Sequence, residues 1–164
     1  MSTEDRLAAL EQRLQAAEDH LEILNLISAY GPLADSCSVD ACVDQWIPGG
    51  GYNYGMPGGG TKRLEAPAAL REVWEQAGHV ELTKTGSAHM AATPKITVHG
   101  DNADAVGYSL VIKREGDRWF VWRAAINHWT LVRTPKGWRV EEKHNRTLDG
   151  SDESHEVMKR ILNI

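Results

Sequence analysis

Residues 103–148 read ADAVGYSLVIKREGDRWFVWRAAINHWTLVRTPKGWRVEEKHNRTL, and the fold is decided here. Three long runs rich in aliphatic and aromatic residues are separated by EGD and PKG, both hairpin turn signals. Such runs form consecutive antiparallel strands. On the middle run Asn127, Trp129 and Leu131 share one face, and His128 and Thr130 share the other, because side chains alternate along a strand. We place Asn127 and Trp129 inward and His128 outward. On the last run Trp138, Val140, His144 and Arg146 have one parity, which directs His144 and Arg146 toward the mouth of any cavity the sheet encloses.

Upstream the period changes to helical. Residues 4–30 read as one helix with Leu7, Leu14 and Leu21, and Leu10, Ala17 and Leu24, recurring every seven residues. Ile23, Leu26, Ile27 and Tyr30 form a second apolar face near its end. The first half therefore suits another helix and the second half a core. Gly31-Pro32 predicts a break, since proline removes a backbone donor and clashes with the preceding turn. SVDACVDQW reads as a second helix, and residues 66–77, with Pro67 in the first turn and Gly78 beyond the end, as a third. Two glycine triplets bracket Tyr52, Asn53 and Tyr54, a predicted strand. Residues 55–63 read as a mobile loop gating a pocket. Ser151 caps a last short helix, DESHEVMKRIL.

Helices followed by a run of strands give an α+β fold, a curved and mainly antiparallel sheet with helices on one face and a cavity between them. We read 1–164 as a single domain in which 1–20 is a helical N-terminal extension. The net charge of −5 gives no basic footprint for nucleic acid or an anionic membrane. No apolar run approaches the ~20 residues that span a bilayer. An acidic start without an apolar signal core, and Cys37 and Cys42 outside any CxxC arrangement, predict a cytoplasmic protein with reduced thiols. His79, His89 and His99 are spaced by ten without an HxH or HExxH pattern, so no metal site is expected.

His89 stands just ahead of the strand KITVH among small polar residues. By itself it reads as a loop residue, a metal ligand or a proton carrier inside a cavity. Three segments bear on this: ILNLISAYGPLADS (23–36), GSAHMAATPKITVHGDNADAVGYSLVI (86–112) and HWTLVRTPKGWRVEEKHNRTLDGS (128–151). Their order and spacing resemble the SnoaL-like branch of the nuclear-transport-factor-2-like superfamily over roughly residues 20–160. The resemblance implies a cone-shaped barrel, a curved sheet wrapped around N-terminal helices, with a deep apolar pocket. Members include polyketide cyclases, scytalone dehydratase, bile-acid 7α-dehydratase, hexachlorocyclohexane dehydrochlorinase, steroid isomerases, dioxygenase small subunits and non-catalytic binding domains. Fold alone does not choose among them.

The dehydratase and dehydrochlorinase members use a His–Asp pair, and the resemblance puts Asp35 and His89 in those places. Tyr30 matches a tyrosine of the bile-acid enzyme, and Arg146 lies near the place of an arginine in the dehydrochlorinase. Gly31-Pro32 departs from the continuous helix usual there. Five helical residues turn about 500°, leaving Tyr30 and Asp35 ~140° apart unless a kink intervenes. Tyr54, Tyr108, Asn127, Trp129, His144 and Arg146 are the candidate ligand-binding residues. The expectation is a cofactor-independent, dehydratase-like lyase or isomerase that abstracts a proton from a hydrophobic small molecule. The alternative is a non-catalytic ligand-binding or assembly domain of the same fold, with a dioxygenase small subunit as a third reading. The helix seam adds the expectation of a homodimer or homotrimer.

Overall fold

The long first helix fixes the frame. In a computed structural model that describes residues 2–56 and 59–162, α1 runs over Thr3–Asp35. A capping box opens it: Asp5 N–H donates to Ser2 Oγ at 3.0 Å and Ser2 N–H donates to Asp5 Oδ2 at 2.7 Å. Leu7, Leu10, Leu14 and Leu21 remain 54–59% exposed. Ile23, Ile27, Gly31 and Ala34 are buried against the sheet. Asp19 anchors the helix between these halves. Its carboxylate accepts two 2.7 Å bonds from Arg133 and one at 3.2 Å from Trp138 Nε1. The Arg133 bonds hold its pKa at about 2, against burial that would raise it.

The expected break at Gly31-Pro32 is absent. Pro32 lies in the final turn, so its missing N–H costs only one bond, to the carbonyl four residues back. The turn closes normally, with Ser36 N–H donating to the Pro32 carbonyl at 3.0 Å. Gly31 has a different task. A Cβ there would overlap the His89 carbonyl oxygen, so glycine lets the strand lie directly on the helix.

After α2 (Val39–Asp44) come β1 (Trp46–Gly55) and β2 (Thr61–Glu65). Gly55 and residues 61–63 of the loop expected over 55–63 are thus strand. Residues 57 and 58 of that proposed gate lie outside the described residues, and none of the others from 55 to 63 lines the cavity. The helix expected over 66–77 is α3 (Ala68–Glu75), and a further helix that was not expected, α4 (Ala77–Thr85), follows it. Gln76 between them is extended, with φ −62° and ψ 144°, and its carbonyl accepts from His79 and Val80 N–H. The second helix start turns His79 inward.

The sheet continues with β3 (Ser87–Ala91), β4 (Lys95–His99), β5 (Asn102–Glu115), β6 (Arg118–Thr134) and β7 (Gly137–Thr147). Its order is β2-β1-β7-β6-β5-β3, with β4 also on β5. Only β1–β7 is parallel. The ends do not pair with each other, so the cone is a curved sheet left open rather than a closed barrel. Two bulges bend the long strands: Trp122 is the extra residue between Val111↔Arg123 and Ile112↔Val121, and Glu141 that between Thr130↔Glu142 and Leu131↔Val140. Helices lie on both faces, not one. While α1 fills the concave side, α5 (Asp152–Leu162) packs on β6 and β7 from outside, where Arg146 meets Glu153. Among the described residues no helix is long and apolar enough to cross a membrane.

The close approach at Gly31 generates a prediction. Gly31→Ala should cost at least about 2 kcal/mol, because overpacking against backbone cannot relax through a side chain. Thermal unfolding measures this, and an unchanged melting temperature would exclude the contact.

Candidate active site

The helix-to-strand contact delivers Asp35 to His89. Nδ1 of His89 lies 2.7 Å from Asp35 Oδ1, and the His89 backbone N–H donates to Oδ2 at 2.6 Å. Ser87 Oγ donates to Oδ1 at 2.7 Å. Burial would raise the Asp35 pKa, but these hydrogen bonds outweigh it and hold the carboxyl below its ordinary value. A carboxylate can only accept, so Nδ1 carries the proton and the other ring nitrogen, Nε2, is left with its lone pair. His89 is not ahead of a strand but at the centre of β3, whose pairing with β5 puts it opposite Val111.

His89 lines a cavity of about 620 Å³ between the sheet, the end of α1 and α3–α4. That volume suits a drug-sized ligand. Tyr30 lines the same cavity, its ring meeting Trp129 edge-on at 5.3 Å and Trp74 at 6.2 Å. Burial pushes its phenol well above the ordinary range, so Tyr30 is a proton-bearing donor and not an anion. Among the described residues no group of three or more His, Cys, Asp or Glu is placed to hold a metal.

The remaining candidates divide by strand parity. Tyr54, Asn127 and Trp129 face the cavity, and Asn145 Nδ2 donates to Asn127 Oδ1 at 2.7 Å. Tyr108 does not. It pairs with Ile126 on the outward parity of β5–β6 and is 52% exposed. His144 and Arg146 also point away. The Glu141 bulge inserts one residue into β7, so Trp138 and Val140 face in, and after it Lys143 and Asn145 do. A one-residue insertion exchanges the faces of everything beyond it. His144 stacks on His128 at 6.1 Å on the outer face. Arg146 Nε donates to Glu153 at 2.6 Å and its Nη1 to the Asn53 carbonyl at 3.2 Å.

Of the cavity residues that escaped the sequence reading, four bear on the chemistry. His79 Nε2–H donates to the Ala34 carbonyl at 3.0 Å, and its ring lies 5.7 Å from that of His89. Tyr52 precedes Tyr54 on the same inward parity of β1. Arg123 lines the cavity too, and its charge partly offsets the burial that raises the Tyr52 phenol. Lys143 is 4% exposed, with Nζ 3.7 Å from the Tyr30 ring centre, 4.2 Å from Trp129 and 4.8 Å from Tyr52. Burial, with the Arg123 charge behind it, pushes the Lys143 amine well below the ordinary lysine range. Between that depressed value and about 10.4 the unfolded chain binds one proton more than the folded chain. This contribution to stability therefore falls as pH drops across that window. Periodicity could have exposed Lys143 only if the bulge were known.

The SnoaL-like domain family matches residues 15–144. Among solved structures, an NTF2-like protein with a cystatin-like fold from Novosphingobium aromaticivorans is 34% identical, with a TM-score of 0.87 over 92% of this chain and 96% of its own. A protein from Catenulispora acidiphila, solved in complex with S-DNPA, is 16% identical, with a TM-score of 0.67 over 80% of this chain and 94% of its own. ActVI-ORFA from Streptomyces coelicolor is 18% identical, with a TM-score of 0.66 over 80% of this chain and 98% of its own. The last two likenesses are of fold. No curated protein matches the chain.

Proposed function

Because the chain belongs to the SnoaL-like domain family, we propose that it is a cofactor-independent lyase or isomerase acting on a hydrophobic small molecule in this cavity. The observation that carries the reading is the 2.7 Å contact between His89 and Asp35 at the cavity wall. With Nδ1–H held by the carboxylate, Nε2 is the base. It takes a proton from a carbon beside a carbonyl, and the C–H electrons move into an enolate. Asp35 stabilises the imidazolium that forms. The enolate then expels a leaving group from the neighbouring carbon, as in a dehydratase, or is reprotonated elsewhere, as in an isomerase. Tyr30 donates its hydroxyl proton toward the carbonyl or the leaving oxygen. A fold relative solved with a small-molecule ligand supports use of this cavity for binding.

Assembly belongs to the same reading. The exposed leucines of α1 form the seam that a second or third copy would cover, and sedimentation of the full chain as a monomer at micromolar concentration would exclude it. Free Cys37 and Cys42 are in keeping with a reducing, cytoplasmic setting.

Proton abstraction is testable before a natural substrate is known. In D2O, NMR should show the protein accelerating deuterium uptake beside the carbonyl of 2-tetralone. His89→Ala and Asp35→Asn should each slow it by ~10²–10⁴-fold, and Tyr30→Phe by less. Uptake at the buffer rate, or uptake undiminished in His89→Ala, would contradict the proposal.

A further inference from the structure

The cavity's charge is opposite to that of the chain. The protein carries a net −5, yet the charged residues lining the cavity are Lys113, Arg123, Lys143 and a single acid, Glu81, which is exposed at the rim. Asp35 is occupied by His89, its backbone N–H and Ser87. Lys143 is the sharpest case. Among the described residues its Nζ has no carboxylate partner, and its neighbours are the faces of Tyr30, Trp129 and Tyr52. Ring faces favour a cation but do not neutralise it. Arg123 lines the same cavity, and its Nε is buried without a hydrogen-bond partner. Cationic groups lining one largely aromatic cavity, with no anion facing them, are costly unless a ligand supplies one.

We propose that Lys143 and Arg123 form a carboxylate-binding subsite, and that the ligand of this cavity is a ring-bearing hydrophobic acid. A planar guanidinium matches a carboxylate through paired N–H donors, and the lysine adds a point charge. Lys143 pairs with Trp129 on β6, while His89 is in register, through Val111, with Arg123, six residues back along that same strand. A ring skeleton whose carboxylate meets Lys143 and Arg123 packs on the Trp129 and Tyr30 faces, within the cavity that His89 also lines. This deepens the proposed function by naming the substrate class. It rests on the cavity as the binding site but not on proton transfer, so its readout is binding without turnover, and failure of either experiment leaves the other's result standing.

The test compares 2-naphthoate with its neutral isostere 2-naphthamide on the full chain by calorimetry at low salt. Naphthoate should bind about tenfold tighter. A preference below threefold, including no measurable binding of either probe, overturns the assignment. Lys143→Met and Arg123→Met should each reduce the preference at least threefold while the amide still binds, and a smaller drop in either variant overturns it. Thermal melts confirm that the variants fold. Lys143→Gln replaces Lys143→Met if the latter does not.

Discussion

Where helix α1 crosses strand β3, Gly31 lies against the carbonyl of His89, so close that a Cβ would overlap it. Most of the site depends on that contact. It requires a residue without Cβ, it requires the helix to continue past Pro32, and it sets the helix end at Asp35 within bonding distance of His89. One turn earlier the same helix presents Tyr30 to Trp129 and Trp74. Further back, the bidentate Asp19–Arg133 pair fixes where α1 crosses the β6–β7 hairpin. The helix is thus held at two polar points with an apolar face between them, and the second point is also the chemistry.

The sheet supplies the other wall by a different device. Long strands that must curve do so through bulges, and each bulge changes which side chains face inward. At Glu141 the change turns Lys143 and Asn145 into the cavity and sends His144 and Arg146 to the outer face, where Arg146 meets Glu153 of α5. At Trp122 it brings the aromatic ring and Arg123 together on the cavity side. The polar groups at this end therefore follow from how the sheet bends.

Much of this was legible in the sequence, and the failures have physical causes. The three long strands and their turns follow from alternation and hairpin signals, and unbroken alternation along the middle of β6 puts Asn127 and Trp129 inward. The parity argument failed on β7 because one residue, Glu141, is inserted where the sheet bends, and no local propensity marks it. Tyr108 was misplaced because its parity depends on pairing with Ile126, a contact distant in sequence. Proline 32 read as a breaker because interior prolines break helices, whereas one in the last turn loses a single bond. A lysine ordinarily reads as solvated, so Lys143 became visible only with the fold.

The central claim is that Asp35 holds one tautomer of His89, with the proton on Nδ1 and the lone pair of Nε2 open to the cavity. Nitrogen-15 NMR of the histidine side chains measures this directly at a pH where the ring is neutral. The account predicts a protonated Nδ1 with a strongly downfield proton that Asp35→Asn shifts upfield, and an unprotonated Nε2. A His89 ring that carries its proton on Nε2, or that exchanges rapidly between both tautomers, would contradict it.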